Sequence, residues 1–148
     1  MAYQAKRHKR FQEDFELVGV DGKVAHTLHV DLDADDMIPK INRKYIALTK
    51  ALAETERLKK NSNDAGEVQQ CFEVLGRAVV DLIEAVFGEE DARTIVEFYE
   101  NRYIEMAQEV LPFISGVVIP RMTEIRNENK KLTLSGYNRK QRRRLLKA

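Results

Sequence analysis

Three groups of residues in this chain carry side chains that could do chemistry at their spacing. His26 and His29 are nitrogen donors three residues apart, with Asp31 and Asp33 close behind, a combination that raises the question of a metal. They fall in a segment that alternates like a strand, where residues three apart point to opposite faces. No further Cys/His/Asp cluster lies nearby in sequence, so solvated strand histidines are expected. Glu89-Glu90-Asp91 puts three carboxylates in a row. Coming straight after Gly88, they suit the start of a helix, whose partial positive charge favours acids, far better than acid–base catalysis. Cys71 is the one cysteine. It lies among apolar residues at helical spacing, whereas a reactive thiol needs exposure and positive surroundings. An inert, buried thiol is expected. A single cysteine also excludes an internal disulfide framework and fits a reducing compartment.

Phosphate-binding signatures are missing: Gly19, Gly22 and Gly66 form neither a P-loop nor a dinucleotide fingerprint. There is no Gly-x-Ser-x-Gly elbow and no recognisable Cys/His pairing. The expectation is a protein with no catalytic residues, metal or cofactor, one that works by binding other protein chains.

Charge is segregated in a way the net value of +1 conceals. Residues 1–10 carry Lys6, Arg7, Lys9 and Arg10 and no acid, and read as a basic, mobile N-terminus. Residues 139–148 carry Arg139, Lys140, Arg142, Arg143, Arg144 and Lys147, again without an acid. Setting those ten aside leaves fifteen basic residues against 24 acidic ones, a balance of −9. Lys/Arg runs bind nucleic acid through counterion release. Here no helix-turn-helix, zinc finger or aromatic stacking set accompanies the run, and the acidic body would repel a long polyanion. The C-terminal charges read as a solvated end or as an electrostatic contact for an acidic protein surface. Nucleic acid is the least favoured partner.

The 148 residues suit one domain, with a body at 11–134 and a basic tail at 135–148. The longest apolar run, Val110 to Ile119, has ten residues and contains Pro112, Ser115 and Gly116. A bilayer span needs about 20. No apolar stretch follows the basic N-terminus, so no signal peptide is read. A soluble, cytoplasmic protein without membrane contact is expected.

The elements follow from periodicity. Phe15 to Val20, the pair Asp21-Gly22 and Lys23 to Leu32 predict a β-hairpin within residues 11–32. Val24, His26, Leu28, Val30 and Leu32 share the face to be buried. After Leu32 the period changes. Asp33, Asp35 and Asp36 suit a helix start, and Ile38, Ile41, Tyr45, Leu48 and Leu52 predict a helix over 36–60, with Pro39 in its first turn. A second helix, 67–87, carries the stripe Val68, Phe72, Leu75, Val79, Leu82 and Val86 and stops at Gly88. A short third helix spans 91–100. A fourth helical region begins near Arg102, and Pro112 and Pro120 should each kink it or start a new helix. The fold class is therefore mainly α (α+β): an N-terminal hairpin, a bundle of about four helices and a basic tail. Within the fourth region Val110, Leu111, Phe113, Ile114, Val117, Val118 and Ile119 are apolar nearly all round the helix. These are the candidate partner-binding residues, either central to the core or shared with a partner.

Several of these stretches resemble one family. Phe87-Gly-Glu-Glu-Asp-Ala92, Ile95-Val-Glu-Phe-Tyr99, Tyr103 to Pro112 and Tyr137-Asn-Arg-Lys-Gln-Arg-Arg143 are similar to the tail assembly chaperones of long-tailed phages and prophages of Gram-positive bacteria. So is the layout of β-rich start, helices and basic end. The resemblance implies a non-enzymatic protein that binds the tape-measure protein and keeps it soluble before the tail tube polymerises around it. It also implies self-association and, as a further partner, the tail-tube protein. The alternatives are a structural tail or adaptor protein retained in the particle, and a small nucleic-acid-binding protein acting through its basic ends.

Overall fold

In the computed structural model, which describes residues 2–61 and 64–131, the Asp21-Gly22 signal produces a hairpin. Strand β1 (Phe11–Val18) pairs antiparallel with β2 (Val24–Leu32). The Gly19 N–H donates to the Lys23 carbonyl at 2.9 Å and the Gly22 N–H to the Gly19 carbonyl at 2.9 Å. Gly22 has φ +80°, a conformation that costs glycine little and other residues more. This is a three-residue loop closed by a left-handed glycine. The register runs from Phe11↔Leu32 to Leu17↔His26 and then slips before Val18↔Val24.

The buried face of the hairpin is shorter than the alternation predicts. Leu28, Val30 and Leu32 are buried with Phe11 and Leu17, but Val24 and His26 are exposed. The reason is overhang: Val18, Val20 and Val24 at the turn end are all exposed too. His26 and His29 do lie on opposite sides. The His26 ring lies nearly perpendicular to that of Phe98, 6.4 Å between centres, on the helical side, and His29 Nδ1 sits 2.8 Å from Asp14 Oδ1 on the outer side.

Asp33 ends the hairpin and caps α1 (Ala34–Asn61). Its carboxylate accepts the N–H groups of Asp35 and Asp36 at 3.0 and 3.2 Å. The cap lies upstream of the predicted start, so Pro39 falls in the second turn and not the first. The N–H it lacks would have bonded to the Asp35 carbonyl. Both residues are exposed, so water can serve that carbonyl. Asp64 caps α2 (Ala65–Phe87) by accepting the Gly66 N–H at 2.9 Å. Gly88, at φ +88°, ends α2 and precedes α3 (Glu89–Phe98), whose first turn holds Glu89, Glu90 and Asp91. Helix α3 ends before the predicted residue 100 because Glu100 and Asn101 take φ of +53° and +61°.

The last helix departs most from expectation. Neither proline interrupts it. Helix α4 (Tyr103–Phe113) passes into a π-helical turn, Ile114–Val118, and then into helical residues 119–131. The Ile119 N–H reaches back five residues to the Ile114 carbonyl. Met106, Val110, Ile114, Val118 and Met122 are spaced by four and are at most 1% exposed. In an α-helix of 3.6 residues per turn, each step of four drifts by about 40°. The wider π turn takes up part of that drift, and one continuous helix keeps all five side chains on the core.

Helix α2 is the hub, packing on α1, α3, α4 and β2. Leu75, Val79 and Leu82 are each 1% exposed. Under the hairpin, Phe15 lies 5.2 Å from Phe87 and 4.8 Å from Phe113, ring centre to ring centre. Basic residues at the N-terminus lie against the acidic body: Lys9 pairs with Glu128 at 3.3 Å and Arg10 with Asp31 at 2.7 Å. The hydrogen bond from Arg10 holds the Asp31 carboxyl below its usual pKa. No helix among the described residues is long and apolar enough to cross a membrane.

Gly76 on α2 faces the Tyr103 ring at the start of α4. A β-carbon there would lie 2.8 Å from the Tyr103 ring. Gly76→Ala gains about 1 kcal/mol of helix propensity but overpacks this contact, which typically costs about 1–3 kcal/mol. The ring is held at the start of α4, so the clash should win and the variant should melt lower than wild type in a calorimetric scan.

Candidate partner-binding groove

The candidate residues of 110–119 divide between core and surface. Val110, Ile114 and Val118 are fully buried. Leu111, Phe113 and Ile119 are half-buried and pack against the core from its edge. Val117 is 39% exposed, and Ser115 and Gly116 beside it are exposed as well. The stretch as a whole is therefore not an open binding face. The tail residues Arg139, Lys140, Arg142, Arg143, Arg144 and Lys147 lie outside the described residues.

Cys71 is half-exposed in a hollow between α1 and α2, with Glu54 and Glu67 among its neighbours. It is not the buried thiol that its apolar neighbours in sequence suggest. Those neighbours lie on the side of α2 turned to the core, and Cys71 lies at the margin of that stripe. Among the described residues no three His, Cys, Asp or Glu side chains converge in a way that could hold a metal ion.

A different apolar surface is open. The first turns of α2 and the start of α4 enclose a groove of about 710 Å³. Phe72 and Leu75 form its floor on α2, and Tyr103 and Ile104 form its wall on α4. Gln69, Glu73, Arg102, Glu105 and Gln108 supply a polar rim, with Asn101 at the corner. The shape follows from lengths. The apolar stripe of α2 begins at Val68, but α4 begins only at Tyr103, where the two left-handed residues turn the chain. The early part of the stripe is left half-covered. Lys59 places its ammonium 4.9 Å from the Phe72 ring centre and shields one side of it. Tyr99 lies close to this corner. Burial raises its phenol pKa, and Glu109 and Glu105 raise it further, so it is neutral in ordinary buffers.

No family model, curated protein or solved structure matches this chain. Its functional reading therefore stands on the residues themselves. Phe72 was legible in sequence only as a member of the α2 stripe, and Ile104 only as one more apolar residue of the fourth helical region. The signal that α2 carries more apolar length than its neighbours cover lies in the tertiary arrangement.

Proposed function

We propose that this chain is a non-enzymatic assembly chaperone acting in the cytoplasm of a bacterial host. It binds the long helical tape-measure protein of a phage tail and keeps it soluble until tube protein polymerises around it. The observation that carries this reading is the groove between α2 and α4. Its apolar floor and mixed-charge rim suit an amphipathic helix laid along it, with apolar side chains down and polar ones out. A tape-measure chain offers many such helices. The stretch Tyr103 to Pro112, which carries part of the resemblance to tail assembly chaperones, supplies one wall. The basic residues between Arg139 and Lys147 add attraction to acidic surfaces of the client or of a neighbouring copy. Each such exposed pair contributes only about 0–1 kcal/mol, so they tune binding more than create it.

The test is co-expression with a tape-measure protein, followed by pull-down and an affinity measurement. Ile104→Glu is the informative variant. Ile104 is 39% exposed and lies in the first turn of α4, where an acid is favourable, so the fold should survive. A charge on the groove wall should weaken client binding at least about tenfold, as expected of an apolar anchor in an interface. Unchanged affinity would remove the groove from the reading. Deleting residues 138–148 should lower the yield at low salt and matter less as salt rises. Loss of steeply salt-dependent binding to DNA or RNA in that variant would favour a nucleic-acid function instead. Finding the chain in stoichiometric amounts in purified particles would favour a structural tail protein.

A further inference from the structure

We infer that two copies of this chain associate through the outer face of α1 and α2, related by a two-fold axis passing near Val74. This surface is separate from the groove that the proposed client occupies, and it is argued without reference to any client. Two hollows of about 300 and 200 Å³ run end to end between α1 and α2 and share one residue, Val74. Val74 is 51% exposed although it sits in the middle of an otherwise well-packed helix. Beside it the floor is made of small residues, Ala51 and Ala47 of α1, which let another helix come close.

The charges at the ends of this face make it complementary to itself. Lys44 and Arg77 line one end, with Asp81, for a sum of +1. Glu54 and Glu67 line the other. Arg57, bonded to Glu54 at 2.6 Å, brings that end to −1. A two-fold axis at the midpoint lays the basic end of each copy over the acidic end of the other. The same patch then serves both copies, as a closed symmetric dimer requires. The α1–α2 pairs of the two copies would stack face to face as a four-helix bundle. The lining residues run from 44 to 58 on α1 and from 67 to 81 on α2. That stretch is about 21 Å long and two helices, about 20 Å, wide, roughly 400 Å² per copy, the size of a weak, concentration-dependent contact.

Sedimentation of the full chain across a concentration series reads this directly. Wild type should pass from monomer to dimer. Val74→Glu should raise the dissociation constant at least about tenfold, because it buries an unpaired carboxylate at the centre of the contact. Two double variants decide the symmetry. Lys44→Glu with Arg77→Glu gives an acidic face, and Glu54→Lys with Glu67→Lys gives a basic one. Each should be monomeric alone, and the two should form a heterodimer when mixed. Val74→Cys in a Cys71→Ser background should give a disulfide-linked dimer under mild oxidation, since facing residues near the axis come within disulfide range. Circular dichroism and melting temperature check that each variant is folded, and the altered side chains all line the open face. A wild type that stays monomeric throughout overturns the proposal. So does a dimer that survives Val74→Glu, or a mixture of the two charge variants that remains monomeric. None of these outcomes bears on client binding in the α2–α4 groove.

Discussion

Ile114→Asp is expected to abolish cooperative folding, while Val117→Asp, three residues away, leaves the melting temperature nearly unchanged. Both positions belong to one apolar run in the sequence. Ile114 is 0% exposed and sits in the π turn between Val110 and Val118, whereas Val117 is 39% exposed. Losing the buried Ile side chain costs about 2–5 kcal/mol. Burying a carboxyl group without partners adds about 2–7 kcal/mol even if it takes up a proton. The sum reaches the whole stability of an ordinary domain, about 5–15 kcal/mol. An exposed substitution such as Val117→Asp stays within about 1 kcal/mol. Thermal melts of the two purified variants check both halves. If Ile114→Asp melts like wild type, the last helix does not pack through this face. If Val117→Asp also fails to fold, the exposed side of the π turn is packed as well.

The second large effect is expected at Leu82. It is 1% exposed in α2, the helix that touches α1, α3, α4 and β2. Leu82→Ala should cost about 2–5 kcal/mol, the lost transfer energy plus the cavity left behind. For a chain of this length that lowers the midpoint by roughly 10 °C. Any binding in the α2–α4 groove, measured well below the new midpoint, should be retained, because Leu82 is not among the residues lining it. A normal melt with lost client binding would place the Leu75, Val79 and Leu82 stripe at an interface instead of in the core.

Much of the architecture was decided locally and could be read from the chain. Asp21-Gly22 specified the hairpin because a left-handed residue is needed to close such a loop, and Gly22 supplies it. The change from period two to period 3.6 after Leu32 marked the end of β2 and the start of α1. Asp33, Asp64 and Gly88 set helix ends through their own hydrogen bonds or backbone freedom. The α2 stripe identified its buried face because a helix of this period has only one side that Leu75, Val79 and Leu82 can share.

What the tertiary structure decided concerns coverage. Pro112 and Pro120 argue locally for a break, yet Met106, Val110, Ile114, Val118 and Met122 all had to reach one core. A π turn met that demand without ending the helix. Whether an apolar residue is core or surface depended in the same way on where its neighbour begins. Val24 and Val74 are exposed because the hairpin overhangs the helices and because nothing among the described residues covers the outer face of α1 and α2. Phe72 and Ile104 border a groove because α4 starts too late to cover the first turns of α2. Local periodicity determines which side of an element is apolar. How far along its length that side is covered is set by the positions of the other elements, and that decided where apolar surface is left uncovered.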